Sequence, residues 1–332
     1  MRCVFQTVLL LALAASARVQ AQGPVTDVDE RMVDRLEQLA GGPYPGARAT
    51  HAKGVLVDGV FEPLPAAAGI SRAAHFRPGS YPVLVRFSAN GGLPTIADTD
   101  PNGQPQGVGL RFLLPDGDAT DILMLSTRSF PVASRADFLA LIEAIIASPP
   151  AAPHPNAVEQ FAASHPAAAR FFRELPPPPR DYGSAQYFSI SAFKFSNAQG
   201  QSRYGRYRLV PAAGFEAADP AHFAELPHDY LSQGLQARLA AGPVRYRLLL
   251  QLAGPGDVVN DCTALWPDER PLVELGTLTL KRIFPDGVER QKRLAYNPLR
   301  LTDGIEDSGD PILKERSVNY PVSVSRRIAS GE

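Results

Sequence analysis

The sequence predicts an α+β fold built around a closed antiparallel β-barrel of about eight strands, with helices surrounding it. Short runs rich in Val, Phe, Tyr and Leu follow one another between residues 51 and 283, separated by Gly, Pro, Asn and Asp. No regular helical crossovers lie between these runs, which favours an antiparallel barrel over a parallel sheet. The turn sequences PDGD at 115–118 and NAQG at 197–200 predict two antiparallel hairpins.

The helices around the barrel are predicted from apolar residues at helical spacing and from end signals. Ser134 is the expected N-cap of the second helix, and Gly242 is the expected end of the third. Near the C-terminus, a short helix is expected to carry Arg316 and Tyr320, to run into Pro321 and to finish on the pair Arg326 and Arg327. The predicted helical segments are residues 27–40, 134–148, 219–242 and a stretch that begins at Ile312.

Length and composition describe one large domain without a general electrostatic partner. The chain has 332 residues, 45% of them hydrophobic, and a net charge of -1, so no attraction to nucleic acid or to an anionic membrane is expected. No boundary divides the chain, and residues 22–332 are predicted to form a single domain. Cys262 has no partner in that domain, because the other cysteine, Cys3, lies in the leader, so no internal disulfide is expected.

The first 21 residues have the character of a secretory signal peptide. Met1 and Arg2 precede an apolar run from Val4 to Ala17, and Val19-Gln20-Ala21 provides small residues for cleavage. The run is too short to cross a bilayer as an anchor, and cleavage after Ala17 is an alternative. We therefore expect an exported protein, located in the periplasm.

Motifs of several large enzyme classes are missing from the sequence. There is no GxGxxG that opens a helix, no phosphate-binding loop, no HExxH, no CxxC and no GxSxG. The six histidines show no metal-ligand spacing. These absences exclude the common dinucleotide, zinc and serine hydrolase classes.

Two groups of polar residues remain as candidates for chemistry. Arg86 and Ser88 lie on one face of a predicted strand, because side chains alternate along a strand. Arg316 precedes Tyr320 by four residues and shares its helix face. A positive charge held against a phenol favours the phenolate, which is one of the few proximal ligands of haem iron. Taken alone, such a pair is more often an exposed helix contact.

Several segments together resemble the haem catalase family. They are RATHAKG, VLVRFSANGG, DTDPNGQPQGVGLRF, DILMLST, FKFSNAQGQ, LAYNPLRLTDGIEDSGDPILKERSVNYP and SRR, in the family's order, covering residues 27–327. The resemblance implies the catalase core, an eight-stranded antiparallel barrel with surrounding helices. The chain is similar to the small catalase-related peroxidase branch, which lacks the extra C-terminal helical regions.

The resemblance also implies roles for individual residues. His51 is similar to the distal histidine, and Ser88 to the residue that orients its imidazole. Tyr320 is similar to the proximal ligand of the haem iron, with Arg316 bonded to it. The implied cofactor is haem b, with its propionates held by Arg48, Arg86 and Arg327.

The distal side departs from the family pattern. Where family members carry a distal asparagine, this chain has Leu125 or Ser126, and Asn90 lies at the valine-lined constriction. We therefore expect a peroxidase that reduces hydrogen peroxide or organic peroxides with a small organic electron donor, with weak catalase activity at most. A true catalase, a hydroperoxide or allene oxide synthase-like enzyme, and a non-catalytic haem-binding protein are the alternatives. The expected state is a monomer or a small homo-oligomer.

Overall fold

Eight strands close into an antiparallel barrel in the computed structural model of the protein, which describes residues 27–331. The strands are β1 (Gly54–Pro63), β2 (Tyr81–Ser88), β3 (Gly107–Leu113), β4 (Ala119–Leu125), β5 (Tyr187–Phe188), β6 (Phe193–Ser196), β7 (Ser202–Pro211), β8 (Val244–Leu252), β9 (Leu272–Ile283) and β10 (Ile305–Asp307). The ring runs β7-β5-β4-β3-β2-β1-β9-β8 and is closed by pairing of β8 with β7, while β6 and β10 extend from β7 beside it. The predicted barrel is confirmed, whereas the predicted signal peptide lies outside the described residues.

Both predicted hairpins form, and one predicted strand is divided. The turn at 115–118 joins β3 to β4, and the turn at 197–200 joins β6 to β7. The run at 186–197 was expected as one strand, but it bends at residues 189–192. Its first part pairs with the end of β7 and its second part with the beginning of β7, so only β5 belongs to the barrel wall.

The barrel interior is filled by aromatic and aliphatic side chains. Phe87 points into this core and stacks on Tyr182, with ring centroids 5.5 Å apart. The neighbours of Phe87 in β2, Arg86 and Ser88, therefore lie on the outer face of the barrel wall. This alternation separates the hydrophobic core from the polar residues that the sequence singled out.

The helices cover the outside of the barrel. Ser134 caps α3 by accepting a hydrogen bond from Asp137 N at 3.1 Å, and Gly242 ends α6, both as predicted. The helices are α1 (Asp27–Leu39), α2 (Pro65–Ile70), α3 (Arg135–Ile146), α4 (Ala157–Ser164), α5 (Pro166–Arg173), α6 (Tyr230–Ala241), α7 (Gly287–Arg293) and α8 (Pro311–Ser330). None of the helices in residues 27–331 combines the length and the apolar composition that a bilayer crossing requires.

The C-terminal helix continues past Pro321 and beyond Arg327. α8 spans 20 residues and ends at Ser330, although Pro321 has no N–H to donate to the carbonyl of Ser317. The start of the helix is capped, because Asp310 Oδ1 accepts a hydrogen bond from Ile312 N at 2.9 Å. Buried residues along α8, among them Val322 beyond the proline, hold the helix against the domain. One helix thus carries Arg316, Tyr320 and Arg327.

His75 is an unusual member of the barrel core. It is 0% exposed, and its ring lies 4.1 Å from that of Phe76 and 4.7 Å from that of Phe112. Neither ring nitrogen has a hydrogen-bond partner in the described residues. Burial lowers the pKa of His75 to about 3, so the imidazole is neutral in the folded protein.

We expect His75→Phe to stabilise the protein, and to do so more in acid. Below about pH 6.5 the histidine is protonated in the unfolded protein but stays neutral in the folded protein. The free energy of unfolding therefore falls by about 1.4 kcal/mol for each pH unit of acidification per such histidine. His75→Phe removes this loss of stability in acid. The gain in the free energy of unfolding from the substitution should therefore be about 2 kcal/mol larger at pH 5 than at pH 7. Urea unfolding at the two pH values measures the effect. The exposed His222→Phe is the control, and an equal pH response in both variants would contradict the prediction.

Candidate functional site

His51 lies in the loop before β1, over the outer face of the barrel wall. Its backbone has a φ of +54°, and its N–H donates to Asn90 O at 2.6 Å. Its Nδ1 lies 3.1 Å from Ser88 Oγ. Ser88 Oγ can donate its own proton to Gly107 O, 3.5 Å away, and then accepts from Nδ1–H. That tautomer leaves Nε2 of His51 as a free proton acceptor.

The imidazole of His51 is kept neutral by its surroundings. Burial, followed by the positive charges of Arg86 and Arg316, lowers the pKa of His51 to about 3. The side chain therefore remains a base throughout the neutral and mildly acidic range. Arg316, which lies on α8, is one of the charges that lower the pKa of His51.

A row of residues across three strands forms the floor beneath His51. Ser88 pairs with Gly107, and Gly107 pairs with Leu125, so all three positions share one face of the wall. A Cβ atom on Gly107 would come within 2.9 Å of His51 Cε1, which requires glycine there. The next residue, Ser126, belongs to the opposite face by strand alternation, and its Oγ accepts from Gln106 N at 3.0 Å.

The register decides between the two residues that the sequence left open. Leu125, and not Ser126, occupies the row that contains Ser88. Its side chain packs against an apolar cluster of Ile190, Cys262 and Ile312. The wall beside His51 is therefore apolar at the position where an asparagine amide was considered.

The predicted pair on α8 is present. Arg316 Nε donates to Tyr320 Oη at 3.0 Å, and the guanidinium carbon lies 5.7 Å from the centroid of the phenol ring. Both residues are partly buried. A phenol oxygen is one of the ligands that proteins use for haem iron.

Three arginines gather beside α7. Arg86 and Arg327 are 4% and 3% exposed, and Arg48 is partly buried. Burial, then the charges of Arg86 and Arg327, hold the pKa of Arg48 well below its usual range, so the three cations repel one another. None of the three forms an ion pair with a carboxylate of residues 27–331. A buried group of uncompensated cations is a site for an anionic ligand, and carboxylates suit guanidinium groups in particular.

Hydrogen-bond acceptors from α7 and the residues that follow hold these arginines in place. Arg48 Nη2 donates to two carbonyls, at 3.0 and 2.7 Å, and Arg327 Nε and Nη2 donate to two, at 2.5 and 3.2 Å. The accepting carbonyls belong to Gln291, Lys292 and Leu294. No sequence motif indicated a role for this element, and Gln291 was missed. The glycine of GVGLRF at 107 was a usable signal, since glycine in a strand often marks a close approach.

The seven predicted site residues form connected groups. His51, Ser88 and Arg86 are in contact, Arg48 and Arg327 share the carbonyl of Leu294, and Arg316 is bonded to Tyr320 on the helix that also carries Arg327. An oxygen ligand, a neutral base and a cationic group without carboxylates fit an iron porphyrin that carries two propionates. The residues present therefore fit the haem that the sequence led us to expect.

Comparison with known proteins shows the family of the chain. The family model described as catalase matches residues 10–331. The chain is 35% identical over 324 residues to a catalase-related peroxidase of Synechococcus elongatus, covering 96% of this chain and 95% of the relative. It is 34% identical to a catalase-related peroxidase of Mycolicibacterium paratuberculosis, covering 86% and 91%.

Solved structures agree in fold. A fungal catalase superposes with a TM-score of 0.75 at 24% identity, covering 96% of this chain and 66% of the other. A bacterial catalase gives a TM-score of 0.74 at 22% identity, covering 99% and 68%. This chain therefore spans about two thirds of the length of those catalases. Nearly its whole length matches the family model and the two catalase-related relatives, and the chain belongs to the catalase family.

Proposed function

We propose that the protein is a haem-dependent peroxidase that reduces hydrogen peroxide or organic hydroperoxides with electrons from a small organic donor. The observation that carries this proposal is the row of Ser88, Gly107 and Leu125 beneath His51. Ser88 orients His51, the base that peroxide cleavage needs. Leu125 places an alkyl side chain, without hydrogen-bond donors, where an amide would bind a second peroxide.

The cofactor in this proposal is haem, taken as haem b. When bound, haem supplies the iron at which the peroxide O–O bond is broken. Tyr320 would provide an oxygen ligand to the iron, and Arg316 would hold the phenol in place through the 3.0 Å hydrogen bond. The three arginines would hold the propionates.

His51 would move the proton. Its free Nε2 accepts a proton from one oxygen of the peroxide and returns it to the departing oxygen, which then leaves as water or an alcohol. Ser88 keeps the ring in the tautomer that allows this transfer. Because the imidazole is neutral, it need not lose a proton before it acts.

Leu125 would set the balance between peroxidase and catalase activity. Dismutation requires a second hydrogen peroxide to be held and oriented beside the base, and an alkyl group cannot donate a hydrogen bond to it. The oxidising equivalents would then pass to an organic donor. The same apolar wall accepts the alkyl part of an organic hydroperoxide.

The test compares donor oxidation with oxygen release. We expect the haem-loaded protein to oxidise a phenolic donor faster than it releases oxygen from hydrogen peroxide. Rapid oxygen release without a response to donors would reject the proposal.

Leu125→Asn should raise oxygen release by about 10-fold, because one well-placed hydrogen bond is worth about 0.5–1.5 kcal/mol. The matched control is Ser126→Asn, which lies on the other face and should produce no gain. A gain at residue 126 alone would contradict the assignment of Leu125.

We also propose that the protein is exported to the periplasm, on the basis of the signal-like residues 1–21. Cell fractionation and N-terminal sequencing of the mature protein test this. A cytoplasmic protein that retains Met1 would contradict it.

A further inference from the structure

Arg86 connects the loop that carries His51 to the group of three arginines. Its Nη2 donates to His51 O at 2.8 Å and to Ala52 O at 3.0 Å. These bonds hold the two carbonyl groups on either side of the Cα atom of Ala52, directly after His51 with its positive φ. A residue other than glycine is strained in that conformation and stays there only when its surroundings enforce it. Arg86 therefore supports the base and also belongs to the arginine group.

Gln291 on α7 fixes the orientation of Arg86. It is 8% exposed, and its Oε1 accepts from Arg86 Nε at 2.6 Å. Its Nε2 donates to Gly54 O at 3.2 Å. A Cβ atom on Gly54 would lie 2.7 Å from Arg86 Nη2, so the guanidinium also packs flat against the start of β1. Gln291 thus closes a chain of contacts from α7 through Arg86 to His51.

The amide is suited to this place because it is neutral. A glutamine oxygen fixes a guanidinium by a hydrogen bond without neutralising its charge. A carboxylate at the same position would form an ion pair with Arg86 and weaken its attraction for another anion. The charge of Arg86 remains available on the side where Arg48 and Arg327 lie.

We propose that Gln291 is a positioning residue that acts through Arg86 on both the backbone of His51 and the cationic site for the haem carboxylates. The inference rests on the proposed haem binding. Through the single guanidinium group of Arg86, the binding site for the haem carboxylates is coupled to His51, which accepts the proton.

Two variants separate the two effects. Gln291→Met keeps the length of the side chain and removes both of its hydrogen bonds. Gln291→Glu keeps the acceptor for Arg86 Nε and introduces a negative charge. Arg290→Met is the matched control on the same helix, because its side chain is exposed and contacts Asp286 and Phe284 rather than the arginine group.

The first readout is the association rate of cyanide with the haem-loaded protein, since hydrogen cyanide must give its proton to His51 as it binds. The second is the rate of haem transfer to an excess of a haem-scavenging protein. We expect Gln291→Met to slow cyanide association by about 3- to 10-fold and to accelerate haem loss. We expect Gln291→Glu to bind cyanide at nearly the wild-type rate while losing haem faster, and Arg290→Met to match the wild type.

Wild-type rates for both readouts in Gln291→Met would overturn the inference. The inference would also be overturned if Gln291→Glu bound cyanide as slowly as Gln291→Met. In that case, altered packing at residue 291 would explain the slow cyanide association of both variants. If Gln291→Met does not fold, Gln291→Glu decides through its haem loss rate, and an unchanged rate rejects the inference. Failure of the wild-type protein to bind haem would instead reject the proposed function, so the two failures are distinguishable.

Discussion

Tyr320→Phe will fold but will not retain haem. The substitution removes one oxygen and leaves the ring and the helix intact, so α8 keeps its packing and its contacts with the domain. Residues that only support a metal ligand typically contribute about 10- to 100-fold to affinity, and loss of the ligand itself should cost more than about 100-fold. The measurement is the Soret absorbance that remains after gel filtration, normalised to protein.

A tyrosine outside the site provides the control for this loss. Tyr44 donates its hydroxyl to Ala40 O at 3.1 Å near the end of α1, and Tyr44→Phe should retain haem as the wild type does. Circular dichroism of both variants checks that they are folded. A Tyr320→Phe protein with an unchanged Soret band would show that another residue binds the iron.

His51→Ala should react with peroxide about 100- to 10,000-fold more slowly, the usual loss when a general acid–base group is removed. Haem should still bind, because the phenol and the arginines are untouched. Stopped-flow spectroscopy of the haem-loaded protein measures the rate.

The pH dependence of the peroxide reaction is a second test of the role of His51. His51 has a pKa of about 3 in the folded protein. It acts as a base only when neutral, so its contribution is complete well above that value and is lost as the pH falls toward it. The wild-type rate should therefore be flat between about pH 5 and pH 8, where an unperturbed histidine would titrate.

An exposed histidine serves as the reference for both measurements. His222 pairs with Asp219 at 3.0 Å, and His222→Ala should leave the peroxide rate unchanged. Equal rates in His51→Ala and the wild type would favour the alternative of a haem-binding protein with an inactive distal side.

The local signals in the sequence predicted much of the barrel and the contacts of the α8 pair. The strands of the wall follow from runs of β-forming residues between turn residues, and the Ser134 cap follows from side-chain chemistry. The Arg316–Tyr320 contact follows from helical spacing alone. Such features depend on residues that are close in the chain, so they can be recognised without knowledge of the fold.

The features that were missed or left open depend on residues that are far apart in the chain. Whether Leu125 or Ser126 faces His51 depends on the register of β4 against β3, and a shift of one residue would exchange the two faces. Gln291 acquires its importance only because α7 lies against Arg86, about 200 residues away. The continuation of α8 through Pro321 depends on packing with the domain, which outweighs a cost of about 3 kcal/mol for proline in a helix.

Because α8 is continuous, it fixes the distance between Tyr320 and Arg327 in the site. Tyr320 and Arg327 are seven residues apart, which corresponds to about 10.5 Å along the axis and to a rotation only about 20° short of two full turns. Both side chains therefore emerge on nearly the same line, at a spacing set by backbone geometry. Insertion or deletion of one residue between them would rotate Arg327 by about 100° and shift it by about 1.5 Å. Loops on a protein surface generally tolerate changes in length, whereas a change in the length of this interval of α8 would separate the phenol from the arginine.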